Sequence, residues 1–441
     1  MATLEDIMSL SKRRGFVFPT SDIYGGITGF WDWGPLGVLL TKRIKDLWWK
    51  ANVEDRDNVV GLDSSIISNP KVWEASGHVT AFSDPLIECK ICHARLRADQ
   101  SDEITAHTKG HLDKKEATPL YTDPKQFNLL FKTYVGVIED AKSLTYLRGE
   151  TCQGIFTNFA NVLSSTRVKM PFGIAQIGKA FRNEVTPGKF LFRVREFEQM
   201  ELEYFTHPRD AEEVLRVWKE ARMAWHISLG LQKEHLRFRQ HDEDERAFYA
   251  ADSWDIEYDF PEWGFKELEG IANRTDYDLK THAKWSGKEI TVTDPVTQET
   301  YIPYVIEPSV GVSRIVLALL FDAYEKQEKR IVLHLAPRVA PYTLAVFPLL
   351  ANKENLVAKA REVAQKLKKT FAVAWDDRGN IGKRYLAQDE IGTPWCITVD
   401  FETLDTDTVT VRDRDTMKQE RIAISQVESY IQEKMKGYGE L

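Results

Sequence analysis

The sequence lacks any apolar run long enough to cross a membrane: its longest, Ile315 to Phe321, is far shorter than a bilayer requires. The N-terminus also lacks the basic-then-apolar pattern of a secretory signal. Four cysteines in 441 residues are too few for a disulfide framework. We therefore expect a cytoplasmic protein in a reducing compartment, without a membrane partner.

Motifs of several common enzyme classes are also absent. No Gly-Lys pair precedes Ser or Thr, which excludes a P-loop, and no Gly-x-Gly-x-x-Gly follows a strand-like run. His-Glu-x-x-His and Gly-x-Ser-x-Gly are missing as well. The net charge of −8 argues against a surface uniformly coated for nucleic acid, although local clusters of Lys and Arg can still bind phosphate. Any nucleotide site must therefore be of another kind.

The patterns that are present divide into an α+β body and a C-terminal α/β unit. Alternating apolar residues at 155–205 and 252–310 predict antiparallel strands, and the polar stretch 86–125 predicts an insertion. Two prolines within 336–341 mark a break, after which strand, helix and strand patterns follow one another. We predict a first domain at 1–335, with the insertion at about 86–125, and a second at 336–441.

The segment from Phe181 to Glu201 is the first candidate site, because its pattern brings three arginines and Lys189 together with Phe197 and two carboxylates. It predicts two antiparallel strands joined by a loop, and alternation would place Arg182 with Glu184 on one face. The same rule groups Arg193, Arg195, Phe197 and Glu201. Forked guanidinium groups suit phosphate, a phenyl ring suits a purine, and a carboxylate accepts from an amine. The alternative is a ladder of salt bridges on an exposed hairpin.

The second candidate segment runs from Glu307 to Arg314 and leads into an apolar helix. Gly311 permits a close approach of the backbone to a ligand. An arginine at a helix N-terminus opposes the helix dipole, which favours an anionic partner for Arg314. A simple turn followed by an arginine is the alternative.

These two segments together resemble motifs 2 and 3 of the class II aminoacyl-tRNA synthetases. Motif 1 would then be the helix predicted at 41–50 and the stretch from Gly61 to Pro70. Longer runs are similar to the homodimeric glycyl-tRNA synthetases of bacteria: Phe18–Gly26, Trp33–Gly37, Asn69–His78, Glu267–Asp276 and Arg412–Met417. The resemblance implies an antiparallel-sheet catalytic domain and a C-terminal anticodon-binding domain.

The resemblance also implies a function. The enzyme would activate glycine with ATP and Mg²⁺ to glycyl-adenylate and transfer glycine to the 3′ end of tRNA(Gly), as a homodimer. Arg182 would hold the α-phosphate and the glycine carboxylate, and Arg314 would hold the outer phosphates together with Arg193, which makes Arg182 and Arg314 the catalytic candidates. Glu184 would read the adenine amine, and Phe197 would stack on the ring.

The residue sets implied by the resemblance are larger. The ATP-binding set is Arg182, Asn183, Glu184, Phe192, Arg193, Val194, Arg195, Glu196, Phe197, Glu267, Leu268, Gly311, Val312, Ser313 and Arg314. The glycine-binding set is Arg97, Glu150, Phe197, Glu198, Gln199, Met200, Glu201, Glu307, Pro308, Ser309, Val310 and Gly311. Glu267 is the candidate magnesium ligand. By charge and position alone, Arg378, Arg412 and Arg414 are candidates for anticodon contacts, unless they are solvated surface residues.

Three positions depart from the usual family pattern. Gly149 and Cys152 stand where proline and alanine are usual, and Ser313 stands where aspartate is usual. None of these changes removes a proposed ligand, although they can alter affinity or the shape of the pocket. Two other functions stay open beside the first: a non-catalytic nucleic-acid-binding or regulatory relative, and a synthetase for serine, threonine or proline.

The insertion carries a separate metal-binding pattern. Cys89-x-x-Cys92, fourteen further residues and His107-x-x-x-His111 fit a Cys2His2 zinc spacing. The alternative is an unrelated pair of cysteines. Cys152 and Cys396 lie in apolar runs, where we expect them to be buried.

Overall fold

The computed structural model describes residues 2–114, 117–247 and 249–437. Residues 115 and 116 of the predicted insertion and 438–441 of the predicted second domain lie outside these ranges. The helices are α1 Leu4–Arg14, α2 Pro35–Trp49, α3 Lys71–Ala75, α4 His78–Ala81, α5 Ser101–Asp113, α6 Cys152–Ser165, α7 Ala211–Ser228, α8 Tyr277–Ser286, α9 Val312–Ala323, α10 Glu354–Leu367, α11 Ile381–Ile391, α12 Phe401–Thr406 and α13 Val427–Lys436. No helix in the described ranges is both long and apolar enough to span a membrane.

A seven-stranded sheet forms the centre of the first domain. Its strands are β1 Val59–Gly61, β2 Phe172–Phe181, β3 Glu196–Thr206, β4 Leu236–Gln240, β5 Asp252–Phe260, β6 Gly264–Thr275 and β7 Tyr304–Gly311. They lie in the order β4-β5-β6-β7-β3-β2-β1, and every neighbouring pair is antiparallel except β1 and β2. The predicted antiparallel α+β body is thus confirmed.

Helices cover both faces of this sheet. The apolar helix α9 packs with α2 and α7 in the main core, where Leu202 and Ile315 are fully or almost fully buried. Helix α6 covers the other face through Phe156 and Phe159. The prediction of strands throughout 155–205 is therefore wrong at its start, because the apolar residues of α6 recur at helical spacing.

Shorter strands form small sheets outside the central one. They are Val17–Pro19 with Trp31–Trp33, Ser83–Glu88 with Arg95–Arg97 and Lys125–Asn128, Lys132–Tyr134 with Leu144–Tyr146, Val292–Thr293 with Thr300–Tyr301, and Tyr324–Lys326 with Ile331–Leu333. The three-stranded sheet and α5 belong to the predicted polar insertion.

The C-terminal part has its own sheet and core. Strands β8 Leu344–Pro348, β9 Val373–Trp375, β10 Trp395–Val399, β11 Thr408–Asp413 and β12 Gln419–Ala423 lie in the order β9-β8-β10-β11-β12. Pairs with β8 are parallel and the last two pairs are antiparallel. Sequence patterns miss α11 and α12, because most of the buried side chains of α11 are polar.

Buried ion pairs join this part to the rest of the chain. Asp389 on α11 is fully buried and accepts from Arg330 at 2.7 Å and from Arg412 at 2.8 Å. Glu390 pairs with Arg13 and Arg14 of α1. The two parts are thereby tied at several points.

Candidate active site

The candidate site lies on the face of the central sheet where β3 and β7 run side by side. Glu201 pairs with Ser309, and Gln199 pairs with Gly311. Successive strand residues point to opposite faces. One face therefore presents Phe197, Gln199, Glu201, Glu307, Ser309 and Gly311, all of which belong to the predicted sets.

The same alternation removes four residues from the predicted glycine-binding set. Met200 and Val310 point into the main core. Glu198 bonds to Lys45 of α2 at 2.8 Å, and Pro308 follows the same alternation as Val310. Strand geometry therefore corrects the prediction for all four residues.

Arg182 lies where two cavities meet, and it lines both. Its Nε donates to the carbonyl oxygen of Gly149 at 3.1 Å. The guanidinium carbon lies 5.3 Å from the centre of the Phe82 ring and 5.4 Å from that of Phe197. The residue follows the end of β2, so strand alternation does not govern residues 182–195 as the sequence suggested. Two rings and a backbone carbonyl hold its orientation instead.

The first cavity gathers most of the predicted nucleotide-binding residues. It is lined by Arg182, Glu184, Phe192, Arg193, Val194, Phe197, Glu267, Gly311, Ser313 and Arg314, together with Gln199, Gly270 and Ser309. Arg314 bonds to the Glu267 carboxylate at 3.0 Å and lies 4.7 Å from the centre of the Phe192 ring. The nearby Arg314 charge, which outweighs burial, lowers the pKa of Glu267. The cavity thus combines arginines, aromatic faces and carboxylates.

Glu184 offers an acceptor at the edge of this cavity. The residue is buried, and its Oε2 atom makes no hydrogen bond to any described part of the chain. The Arg193 Nε lies 4.0 Å from that oxygen. Because a buried acceptor without a donor is costly, the arrangement favours a ligand that donates there.

Five members of the predicted ATP-binding set lie outside this cavity: Asn183, Arg195, Glu196, Leu268 and Val312. Leu268 and Val312 are core residues. Arg195 donates to the carbonyl oxygen of Thr28 at 2.9 Å and so holds the N-terminal loop. Glu196 pairs with Lys179. The backbone amide of Asn183 donates to the carbonyl oxygen of Leu129 at 2.8 Å, so each of the five residues has a contact outside the first cavity.

The second cavity contains three of the predicted acids, Glu150, Glu201 and Glu307. Glu201 accepts from Gln199 at 2.7 Å, from the Ser309 hydroxyl at 2.7 Å and from the Thr151 amide at 2.9 Å. These donors fix the carboxylate in one orientation.

The other two acids are held by different partners. The Glu150 carboxylate lies 3.2 Å from the His78 Nε2 and accepts from the Cys152 thiol at 2.9 Å. Glu307 accepts from Arg274 at 2.9 Å. Cys152 and Cys396 are both buried, as predicted.

Arg274 is the main residue that sequence reasoning misses. It is 1% exposed, bonds to Glu307 and to Asp278 at 2.8 Å, and lies 4.0 Å from Glu150. Arg274 belongs to the run Glu267–Asp276, which resembles the family, but no pattern in the neighbouring sequence predicts that its side chain is buried. Glu203 is also missed: it is fully buried, and neither of its oxygens bonds to a described residue.

Burial and crowding shift the pKa values of these acids in different directions. Burial, and then the proximity of Glu150, raises the pKa of Glu201. Burial raises the pKa of Glu307 to about 8, although Arg274 opposes the shift. Burial also raises the pKa of Glu203 well above its usual value. Burial disfavours the charge of Glu150, but His78 and Arg274 outweigh it and hold its pKa well below the usual range.

Arg97 does not join the three acids. It pairs with Asp84 at 2.7 Å and with Asp99 at 2.7 Å, close to Glu184. The strand Arg95–Arg97 belongs to the insertion, and another residue of the insertion, Glu103, contacts Arg193 of the first cavity. This corrects the prediction that Arg97 contacts the amino acid.

The four predicted zinc ligands do come together. One donor atom of each of Cys89, Cys92, His107 and His111 lies within 4.8 Å of the others. The Cys92 sulfur is 3.3 Å from the Nε2 atom of His107. The Nδ1 atom of the same imidazole ring contacts the Tyr121 hydroxyl at 3.0 Å. An outer partner of this kind orients a metal-binding imidazole.

Two of the predicted anticodon-contacting arginines are structural. Arg412 bonds to the buried Asp389, and Arg414 donates to the Leu335 carbonyl oxygen at 2.9 Å. Both are buried, so neither faces a ligand or solvent, whereas the Arg378 side chain is 92% exposed. Charge and position in the sequence alone do not distinguish a buried structural arginine from an exposed one.

Comparisons with known proteins match both parts of the chain. A family described as "tRNA synthetase class II core domain (G, H, P, S and T)" matches residues 133–324, and one described as "Anticodon binding domain" matches 343–434. The chain is 51% identical to the glycine–tRNA ligase of Streptomyces coelicolor over 98% of this chain and 99% of that protein. It is 50% identical to that of Borreliella burgdorferi, over 100% and 99%.

Proposed function

Because the chain belongs to the glycine–tRNA ligases, within the class II tRNA synthetases, we propose that its two joined cavities bind ATP and glycine with Arg182 between them. The observation that carries the proposal is the position of Arg182, which lines both cavities. A non-catalytic relative would have no need to retain Arg182, Glu184, Phe197 and Arg314 in one site.

The proposed first step joins the two substrates at Arg182. An oxygen of the glycine carboxylate attacks the α-phosphorus of ATP, the bond to the β-phosphate breaks, and pyrophosphate leaves. Charge builds on the phosphoryl oxygens, where the fixed guanidinium stabilises it without reorienting. In the second step, a terminal hydroxyl of tRNA(Gly) attacks the adenylate carbonyl, and AMP leaves.

Three acids and one arginine support recognition of glycine as an ammonium ion. The proposed ammonium partners are Glu150, Glu201 and Glu307, with Ser309 and Gln199 holding Glu201 in place. Arg274 offsets part of their negative charge before glycine arrives. Since these walls are buried and hydrogen-bonded, a larger amino acid would have to displace them, which supports selection of the smallest substrate.

We propose that magnesium binds with the outer phosphates at Glu267. The Asp255 carboxyl, on the adjacent strand β5, is close enough that Glu267 adds to burial in raising its pKa to about 7. Carboxylate oxygens are the donors that Mg²⁺ prefers, so the residues present fit this ion. When bound, it would neutralise phosphate charge, which Arg193 and Arg314 also do.

Further parts of the proposal concern assembly and partners. We propose a homodimer, a boundary between domains near residue 336, and contact of the C-terminal domain with the anticodon arm of tRNA(Gly). The compartment in which tRNA is charged, the cytoplasm, is the proposed location.

The test of this function is pyrophosphate exchange into ATP with each amino acid supplied separately. We expect exchange with glycine and none above background with serine, threonine or proline. Exchange with serine but not glycine would overturn the substrate assignment. The absence of exchange with every amino acid would favour a non-catalytic protein.

The pKa of Glu307 predicts how glycine binding depends on pH. Glu307 faces Arg274, Glu201, Glu150 and Glu203, with Cys152 and Tyr249 nearby. With a raised pKa of about 8, most of the population is protonated at neutral pH and must lose that proton to meet an ammonium group. Hence the KM for glycine should fall roughly twentyfold between about pH 6.5 and 8.5.

Steady-state pyrophosphate exchange at several pH values across this range measures how the KM for glycine depends on pH. Glu307→Gln should bind glycine more weakly at every pH and should flatten the profile. A parent enzyme whose KM for glycine is constant, or rises with pH, contradicts the assignment of Glu307.

We propose that Cys89, Cys92, His107 and His111 bind one zinc ion. Metal analysis of the purified protein should find about one zinc per chain, and Cys92→Ser should lose it. Cys396→Ala removes a thiol that lies far from this cluster in the C-terminal domain, so this control should keep the metal. Parent protein without zinc would refute the site.

A further inference from the structure

Helix α5 connects the zinc cluster to the nucleotide cavity. Glu103, His107 and His111 are spaced four residues apart on it. Residues four apart lie on the same face of an α-helix. The two histidines meet the cysteines, and Glu103, one turn closer to the N-terminus, meets the loop between β2 and β3.

Glu103 contacts both limbs of that loop. One carboxylate oxygen accepts from the Thr186 hydroxyl at 3.1 Å, and the other accepts from the Arg193 Nη1 at 3.3 Å. Within the loop, the backbones of Gly188 and Arg193 form two hydrogen bonds with each other, of 3.0 and 3.1 Å. Glu103 thus fixes Arg193 from outside while Arg193 lines the cavity.

Apart from these contacts and the bonds of the Tyr121 hydroxyl to His107 and Thr108, helix α5 packs weakly against the rest of the domain. His111 is its one buried residue, and the exposed residues around it are mostly polar. A bound metal would join the helix to the Cys89–Cys92 turn at two successive turns, and this would set both its rotation and its position. Glu103 reaches Arg193 only when both the rotation and the position of α5 are correct.

We propose that Glu103 is a positioning residue for ATP binding, and that the metal cluster holds it against Arg193. The inference rests on the proposed zinc site and on the proposed role of Arg193. A metal bound about one helical turn from Glu103 would therefore affect the affinity for ATP through α5, without contacting the nucleotide.

Glu103→Ala tests the positioning role. Because it removes a charge-assisted hydrogen bond to Arg193, the KM for ATP should rise about tenfold, while kcat at saturating ATP stays within about twofold. Calorimetric titration with ATP should show the same loss of affinity. Asp102→Asn removes the same charge from the neighbouring exposed position and should leave both constants unchanged.

The link to the metal is tested by a double-mutant cycle. Cys92→Ser should raise the KM for ATP by a similar factor, and adding Glu103→Ala to it should cause little further rise, because both changes break the same chain of contacts. Zinc content is measured on every variant. Glu103→Ala should keep its zinc.

These outcomes separate the inference from its premises. Exchange that fails in the parent overturns the proposed function, and parent protein without zinc overturns the metal site. If the parent has zinc and activity but Glu103→Ala leaves the KM for ATP unchanged, the positioning role is wrong. Fully additive effects of the two changes would overturn the link between the metal and Glu103.

Discussion

Arg182→Ala should lower glycine-dependent pyrophosphate exchange by about a thousandfold or more, while the protein stays folded. Arg182 lines both cavities and is aimed at their junction by the Gly149 carbonyl and two aromatic rings. An arginine that stabilises charge on a transferring phosphoryl group typically contributes about 10³ or more to the rate. Single-turnover formation of glycyl-adenylate measures this loss directly.

Two further variants sharpen this result. Arg182→Lys keeps the charge but loses the planar fork, so it should recover only a small part of the activity. Lys179→Ala removes a cation near the end of β2, three residues before Arg182, and should be near parental, because its side chain is 53% exposed and pairs with Glu196. Exchange by Arg182→Ala within a few-fold of the parent would show that the role given to Arg182 is wrong.

Arg274→Gln should destabilise the protein and impair glycine recognition together. Its guanidinium is buried between Glu307 and Asp278, and its removal leaves those carboxylates without their partner. Breaking a buried ion pair in this way costs roughly 3–5 kcal/mol. We expect that loss in the free energy of unfolding, and at least about a tenfold rise in the KM for glycine below the unfolding temperature.

Arg222→Gln is the matched control. Arg222 on α7 is equally buried and donates to Glu269 at 2.6 Å, but this pair lies on the other face of the sheet. It should lose a similar free energy of unfolding and keep the parental KM for glycine. If both variants change the KM equally, the effect of Arg274 is one of general stability, and its assignment to the glycine site fails.

The sequence predicts the composition of the site better than its geometry. The residue types at Arg182, Glu184, Phe197 and Arg314 already indicate phosphate and purine binding, because few other ligands need that combination. It does not predict that residues 182–195 leave the strand, since a loop held by Arg195 and Thr28 depends on contacts distant in sequence.

Burial explains most of the remaining errors. The glycine-binding set implied by the resemblance contains continuous runs of residues, whereas alternation turns Met200 and Val310 away from Glu201 and Ser309 and into the core. Arg274 and Arg412 are ordinary arginines in the sequence. Their ion pairs form only when separate segments meet, and no local pattern contains that information.

The ion pairs around α11 fix the distance between the candidate active site and the C-terminal part of the chain. Asp389 joins Arg330 to Arg412, and Glu390 joins α11 to Arg13 and Arg14 of α1. Because these ion pairs hold the two parts together, the distance between the proposed adenylate site and the anticodon-type domain is set by the protein. An RNA whose arms are lengthened or shortened by one helical turn would then reach one end but not both.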